Sequence, residues 1–377
     1  MKPLPPFAGA LLACAHAAAA PLEWHFEDTG GVPDTLVWQT EVGPSYHLFQ
    51  SADLRDWGCV PGFPQAGTGG AIEHRFTPGA RGFFRIIAAP PPPDGFVLVP
   101  AGECLLGDQS DPAVGYADEL PVRRVQVGAF HIARHEVTKE LWDEVAAWAA
   151  AHDYDISAAG AGGKGPGHPA HSVTWHECVK WCNARTEREN ATRGTSLTPC
   201  YTVAGAVYRA GSHAPECSWT ADGYRLPTEA EWEKAARGGL VGRLFPWGDT
   251  ISHADADFQN SGGESYATGT TGPHPLWGNG DDGNYPYTAP VGSFAANGYG
   301  VHDAAGNLWE WCWDWYGSYA AGPQADPRGP AAGTDRVYRG GNWFYYADHC
   351  RASFRASFPP TFSSYLLGFR PARGMAP

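Results

Sequence analysis

The stretch YRLPTEAEWEKAARGG runs from Tyr224 to Gly239 and carries both ends of a helix in its letters. Thr228 is followed three residues later by Glu231, a capping box: the threonine oxygen takes an orphan amide and the glutamate reaches back to the amide of the cap. Gly238 and Gly239 supply the left-handed stop. Two other segments read the same way. VTWHECVKWCNARTE (173–187) has Thr174 and Glu177 in the capping positions. HEVTKELWDEVAAWA (135–149) places Leu141, Trp142, Val145, Trp148 and Ala149 on one helical face. Beyond Gly239 the chain is short strand-like runs and loops, crowded with tryptophan and glycine. The expected fold class is α+β with little regular structure.

Bulk composition agrees. The 377 residues suffice for two domains with real cores. With 48 Gly, 33 Pro and 16 Trp, the chain reads as loop-rich and aromatic-packed, not as a helix bundle. A net charge of −14 argues against nucleic-acid binding, which needs a basic patch. The first residues, MKPLPPFAGALLACAHAAAA, read as a secretory signal over 1–20, so export to the periplasm or exterior is expected. No later stretch is apolar enough to span a bilayer. Residues 21–88 hold strand-like runs (TLVWQTEV, YHLFQSA, IEHRFTP, GFFRIIAA), predicting a small β-sandwich-like domain. APPPPDG (89–95) is a semi-rigid spacer, and the second domain is expected over 96–373.

Seven motifs follow in order: VPAGECLLGD, HEVTKELW, HPAHSVTWHECVKWC, YRLPTEAEWEKAARGGLVGRLFPWGD, PVGSFAANGYGVHDAAGNLWEWCWDWY, RVYRGGNW and LGFRPA. Together they resemble the formylglycine-generating enzyme, or sulfatase-modifying factor, family, over 96–373 and not over 21–93. The resemblance implies a C-type-lectin-like fold. It implies an oxidase that converts a sulfatase cysteine to formylglycine with oxygen and copper, the metal being held by two cysteines near the C-terminus. The second matches Cys350. The first matches Tyr345, and the small hydroxyl residue after Gly-Gly is here Asn342. Cu(I) wants two soft thiolates, and a phenol oxygen is hard and protonated at neutral pH. Copper and a sulfatase-peptide substrate are therefore expected only if one thiol suffices.

Export permits disulfides among the 9 cysteines. A Cys312–Cys350 bond is the expectation, with a reactive free thiol and an inert buried thiol as alternatives for Cys350. Cys182 with Cys200, and Cys178 or Cys217 with others, are further candidates whose connectivity sequence leaves open. The resemblance also implies calcium in two loops. One set is Asp303 and Glu310 with the carbonyls of Gly306 and Leu308. The other is Asp257 and Asp282 with carbonyls at Phe258 and near Tyr285. Mixed carboxylate and carbonyl oxygens suit calcium. Asp303 and Glu310 are expected to repel each other until a cation binds. No histidine–cysteine spacing suits zinc: His168, His171 and His176 are separated by a proline and a helix start.

FYYADHCRASFRASFPPTFSSYL (344–366) contains no Lys, Glu, Gln, Met or Trp, where composition predicts roughly three. The residues present are those reached by randomising the adenines of an AAC codon. In this the segment resembles the variable region of diversity-generating-retroelement target proteins. Asn342, Phe344, Tyr345, Tyr346, His349 and Phe354 are the expected contacts to an unidentified protein or small ligand. The resulting reading is a calcium-stabilised binding module displaying residues 342–366. The alternatives are the copper oxidase and a single-thiol chemistry at Cys350.

Overall fold

The computed structural model describes residues 24–28, 33–54, 56–60, 62–75, 83–110, 113–275 and 286–375. The chain divides into two compact units between Asp94 and Gly95, at the end of the proline run. In the first unit, Pro33–Gln39 pairs with Trp24–Asp28 and Ala71–Arg75, all antiparallel. A second sheet is built on Ser45–Ser51, which pairs with Phe83–Ala89 along its full length. Period-2 alternation sends Leu36, Trp38, Leu48, Phe84 and Ile86 into one core.

The second unit holds the helices. α1 (Lys139–Ala149), α2 (Trp175–Arg193) and α3 (Glu229–Arg237) each start on a threonine whose hydroxyl accepts the amide three residues on. Both predicted capping boxes form, and Gly194 and Gly238 end α2 and α3 in the left-handed conformation. Trp142, Val145, Ala146 and Ala149 are the buried face of α1, while Leu141 and Trp148 pack at its margin. Two four-stranded sheets dominate the rest. One runs Tyr224–Arg225, Ala372–Gly374, Phe130–Ala133, Phe96–Val99. The other runs Ala356–Phe358, Arg336–Arg339, Trp309–Trp315, Leu367–Gly368, its last pair parallel. Among the described residues no helix is long and apolar enough to cross a membrane.

The Trp309–Trp315 strand sorts its side chains by alternation. Trp309 and Trp311 enter the main core and Trp313 packs at its edge. Glu310 and Asp314 turn toward α3. Trp232 Nε1 donates to Glu310 Oε2 at 2.8 Å, and the amide of Glu229 donates to Asp314 Oδ2 at 2.7 Å. Helix α3 is buried throughout, yet it carries three glutamates. Each has an arginine: Glu229 with Arg355 at 2.7 Å, Glu231 with Arg225 at 2.6 Å, and Glu233 with both Arg237 (2.7 Å) and Arg339 (2.6 Å). Buried carboxylates survive only when paired and hydrogen-bonded, so this helix packs as an ion-pair hub. The sequence pattern shows the helix but not these partners, which lie up to 126 residues away.

Candidate functional site

The C-terminal surface begins at the Gly340-Gly341 turn. Both glycines have positive φ (100° and 77°), and a Cβ on Gly341 would lie 2.6 Å from Sγ of Cys350. The turn can therefore sit directly on the cysteine only because it carries no side chain. Asn342 follows, fully buried. Its Oδ1 accepts the amides of Phe344 (2.9 Å) and Tyr345 (3.0 Å), which fixes the chain as it leaves the turn. This corrects the expectation that Asn342 is a ligand contact: it is the Asx turn that aims the contacts.

From there an aromatic array forms. The Tyr345 ring packs on both Trp309 (centroids 4.7 Å) and His349 (4.6 Å), which also meet each other at 6.1 Å. His349 stacks on Phe354 at 4.3 Å, and Tyr116 meets Phe354 edge-on at 6.0 Å. On the other side Trp309 contacts Tyr338 at 4.6 Å, Tyr338 stacks on Phe358 at 4.8 Å, and Phe358 on Phe362 at 4.0 Å. Phe354 is buried in this array, so its expected place on the free surface is corrected. The outer rings are open to solvent: Phe344 is 43% exposed, Tyr346 44%, Tyr365 45% and Tyr116 47%. Burial lowers the His349 pKa, so the imidazole is neutral at pH 7, and its Nδ1 is buried without a partner.

Sequence reading missed the other half of this surface. Residues 116–119 clamp the segment: Tyr116 donates to Asp348 Oδ2 at 2.5 Å, and the fully buried Glu119 grips Arg351 at 2.5 and 2.7 Å. Only the lone acidic–aromatic composition of YADE (116–119) hinted at it.

Cys350 is fully buried in a cluster with Phe245, Ile251, Ala256, Phe258, Ala305 and Ala347. Burial, with Asp348 and Asp257 near by, drives its thiol far up, so it is not a thiolate at neutral pH. Cys312 is a free thiol as well, and so are Cys178, Cys182, Cys200 and Cys217. The expected Cys312–Cys350 bond, and the other pairings, are absent among the described residues. The cause is alternation: Cys312 lies between Glu310 and Asp314 on the 309–315 strand, its Sγ 4.0 Å from the Glu310 carbonyl, while Cys350 belongs to a separate cluster. Peptide mapping under non-reducing conditions should recover Cys312 and Cys350 unlinked, with alkylation only after unfolding. Copper does not fit these residues. One thiol is buried and protonated, and the place of the second holds a stacked phenol.

The calcium loops are only partly suited. Glu310 is not available as a free ligand: Arg370 Nε and Nη2 bind its two oxygens, each at 2.6 Å. The cation between Asp303 and Glu310 is thus Arg370, which also donates to the Asp303 carbonyl at 3.2 Å, so the expected uncompensated repulsion is corrected. The Phe258 carbonyl accepts from His253 Nε2 at 3.1 Å. Asp282 and Tyr285 lie outside the described residues. What remains is Asp303 Oδ1 and Asp257 Oδ2, both buried and without a partner. Burial raises both carboxyls. Gly306 binds the two loops together, since a Cβ there would lie 2.3 Å from the Asp257 carbonyl. Among the described residues no three His, Cys, Asp or Glu side chains converge as a metal site.

Known proteins bear on this geometry. The sequence model of the sulfatase-modifying factor enzyme 1-like domain matches residues 86–375. The formylglycine-generating enzyme of Bos taurus is 31% identical over 358 residues, 85% of this chain and 86% of that protein. The Streptomyces coelicolor enzyme of the same name is 34% identical over 298 residues, 73% of this chain and 88% of its own. Among solved structures, Treponema denticola variable protein 1 superposes with a TM-score of 0.55 at 27% identity, covering 79% of this chain and 97% of that one. CarF gives a TM-score of 0.54 at 25% identity over 74% and 97%. Motif order, fold and these likenesses converge: the chain belongs to the sulfatase-modifying factor (formylglycine-generating enzyme) family.

Proposed function

We propose that this protein is a binding member of its family, which presents the aromatic face around Tyr345 to a protein or small ligand and does not oxidise cysteine. The observation that carries this reading is the pair of positions 345 and 350: a stacked tyrosine in one and a buried, protonated thiol in the other. Exposed Phe344, Tyr346 and Tyr365 offer rigid contact area with little rotamer entropy to lose, and the likeness to a protein named as variable agrees with the variable-looking composition of 344–366. The alternative is the copper oxidase, favoured by Cys350 itself and by the identity to formylglycine-generating enzymes. Aerobic incubation with copper and a sulfatase-type cysteine peptide separates the two. Formylglycine product from the unaltered protein would overturn the binding reading.

The reading predicts that Phe344→Ser with Tyr346→Ser changes stability by about 0.5 kcal/mol or less per site. Asn342→Ala should cost about 1–3 kcal/mol, because it strips two amides of a buried acceptor. Urea unfolding of the three proteins checks both values.

Export is part of the proposal, supported by the leader-like residues 1–20, which lie outside the described residues. Calcium is a further part, supported by the unpartnered oxygens of Asp257 and Asp303. A carboxyl raised by burial binds its proton more tightly folded than unfolded, so it opposes folding increasingly as pH climbs above its ordinary value of 3.8. Asp303→Asn removes that cost, and asparagine tolerates the positive φ of 53° at this position. In chelator at pH 7 the variant should therefore melt no lower than wild type. In calcium the wild type should rise and the variant should not. Equal responses of the two to calcium would count against Asp303 as a ligand.

A further inference from the structure

The loop 317–330 and the residues beneath it line a part-open cavity of 290 Å³ in the second unit, whose wall includes Arg355, next in sequence to Phe354 of the Tyr345 array. Three arginines line it, and their situations differ. Arg355 is spent: Nε and Nη2 hold both oxygens of Glu229 at 2.7 and 2.9 Å, and Nη1 donates to the Gly317 carbonyl at 2.9 Å. Arg123 is not. Its guanidinium lies on the Tyr319 ring at 3.8 Å and Nη1 donates to Gln324 Oε1 at 3.1 Å, yet its Nε is buried with no acceptor. Arg328 lies over Trp219 at 4.4 Å on the exposed rim. Neither Arg123 nor Arg328 has an ion-pair partner among the described residues, although Arg225, Arg237, Arg339, Arg351, Arg355 and Arg370 of this unit are buried against carboxylates. Of the acids near by, Glu229 is held by Arg355, Asp314 accepts the Glu229 amide at 2.7 Å, and Asp118 is taken by Tyr316 Oη at 2.5 Å; Glu229 and Asp314 both feel the Arg123 charge without pairing with it. The rest of the wall is mostly apolar, with Trp315, Pro327 and Pro330, beside Ser318 and the arginine-held Glu229.

We propose that this cavity binds a carboxylate attached to a small apolar body, with Arg123 as its receptor and Arg328 at its mouth. A guanidinium held flat by stacking keeps its planar N–H fork pre-organised, and that fork matches a carboxylate. A half-buried cation with an unused donor favours an anion that also fills the apolar part of the site over a fully hydrated one. The carboxylate has two sources, a free small acid or the carboxyl terminus of a peptide. The proposal does not rest on the binding role of the aromatic face.

Calorimetry and thermal shift on the full chain test it with benzoate, benzamide, inorganic phosphate, and one short peptide ending in Phe, as free acid and as amide. Benzoate should bind and raise the melting temperature, and benzamide should do neither. Arg123→Gln should weaken benzoate at least about tenfold, Arg123→Lys should recover part of the loss, and Arg124→Gln, exposed and outside the cavity lining, should change nothing. Tighter binding of the free-acid peptide than of benzoate assigns the site to a chain terminus, and the reverse assigns it to a small acid. Either supports the proposal. Should Arg123→Gln fail to fold, the exposed Arg328→Gln gives the same reading with a smaller loss. Equal binding of benzoate and benzamide, binding of phosphate alone, or no response of the wild type to any probe overturns the proposal.

Discussion

Arg339→Ala is expected to destabilise the second unit by about 3–5 kcal/mol, the cost of stranding one partner of a buried pair. The side chain is fully buried and ties three segments together. Nη2 binds Glu233 Oε2 at 2.6 Å and the Ala352 carbonyl at 2.9 Å. Nη1 binds the carbonyls of Ser353 (2.7 Å) and Phe354. Truncation leaves a buried carboxylate and three carbonyls short of a donor, in the backbone that carries the candidate site. Denaturant unfolding measures the loss. Removing Glu233 as well should not rescue the loss, because the buried Arg237 then loses its own carboxylate. The pH profile gives a second readout through Glu229. Burial alone would raise this carboxyl, but Arg355 and Arg339 outweigh it and hold the pKa near 2, below its ordinary 4.5. Its contribution is complete above the unfolded value and is lost as pH falls from there toward 2. Without Arg339 the Glu229 pKa rises, so acid unfolding should begin at higher pH. An unchanged acid midpoint in Arg339→Ala would separate Glu229 from this arginine.

What was legible in the sequence had a local signature. Thr174 with Glu177, and Thr228 with Glu231, announce their helices because a capping box is closed within one turn. The strand runs of the first unit show as alternation that one core then uses. The site's position was legible through RVYRGGNW and LGFRPA, which flank it. What failed was long-range. Glu229 and Glu233 carry charges that usually face water and are buried, because Arg355 and Arg339 reach them from remote segments, while Glu231 and Glu233 also take the local Arg225 and Arg237. Glu310 looks like a calcium ligand until Arg370 is placed on it. Cys312 and Cys350 look like a pair until strand alternation assigns one to the acidic side and the other to a separate cluster. Asn342 and Phe354 fall within the variable-looking segment, yet one braces its backbone and the other fills its base. The outer rings, Phe344 and Tyr346, are the ones that meet solvent.

Wild-type protein should retain no stoichiometric Cu(I) against a competing chelator and should yield no formylglycine from a cysteine peptide in air. Two thiolates would be needed to hold Cu(I) in the sulfur environment that suits it. Here the Cys350 thiol is driven far above its ordinary value by burial, so binding must also meet the cost of removing its proton. Tyr345 contributes a ring packed on both Trp309 and His349. Tyr345→Ala and Tyr345→Cys divide the two obstacles. The alanine variant opens the same space without a ligand, and it should remain without copper. The cysteine variant supplies the second sulfur, and a gain of one Cu(I) would show that the tyrosine alone had removed the metal. Failure of Tyr345→Cys to gain copper, with the fold intact, would instead place the block at the buried Cys350 thiol beneath Gly341. One equivalent of Cu(I) held by the wild type would contradict both, and would return the protein to the oxidases it resembles.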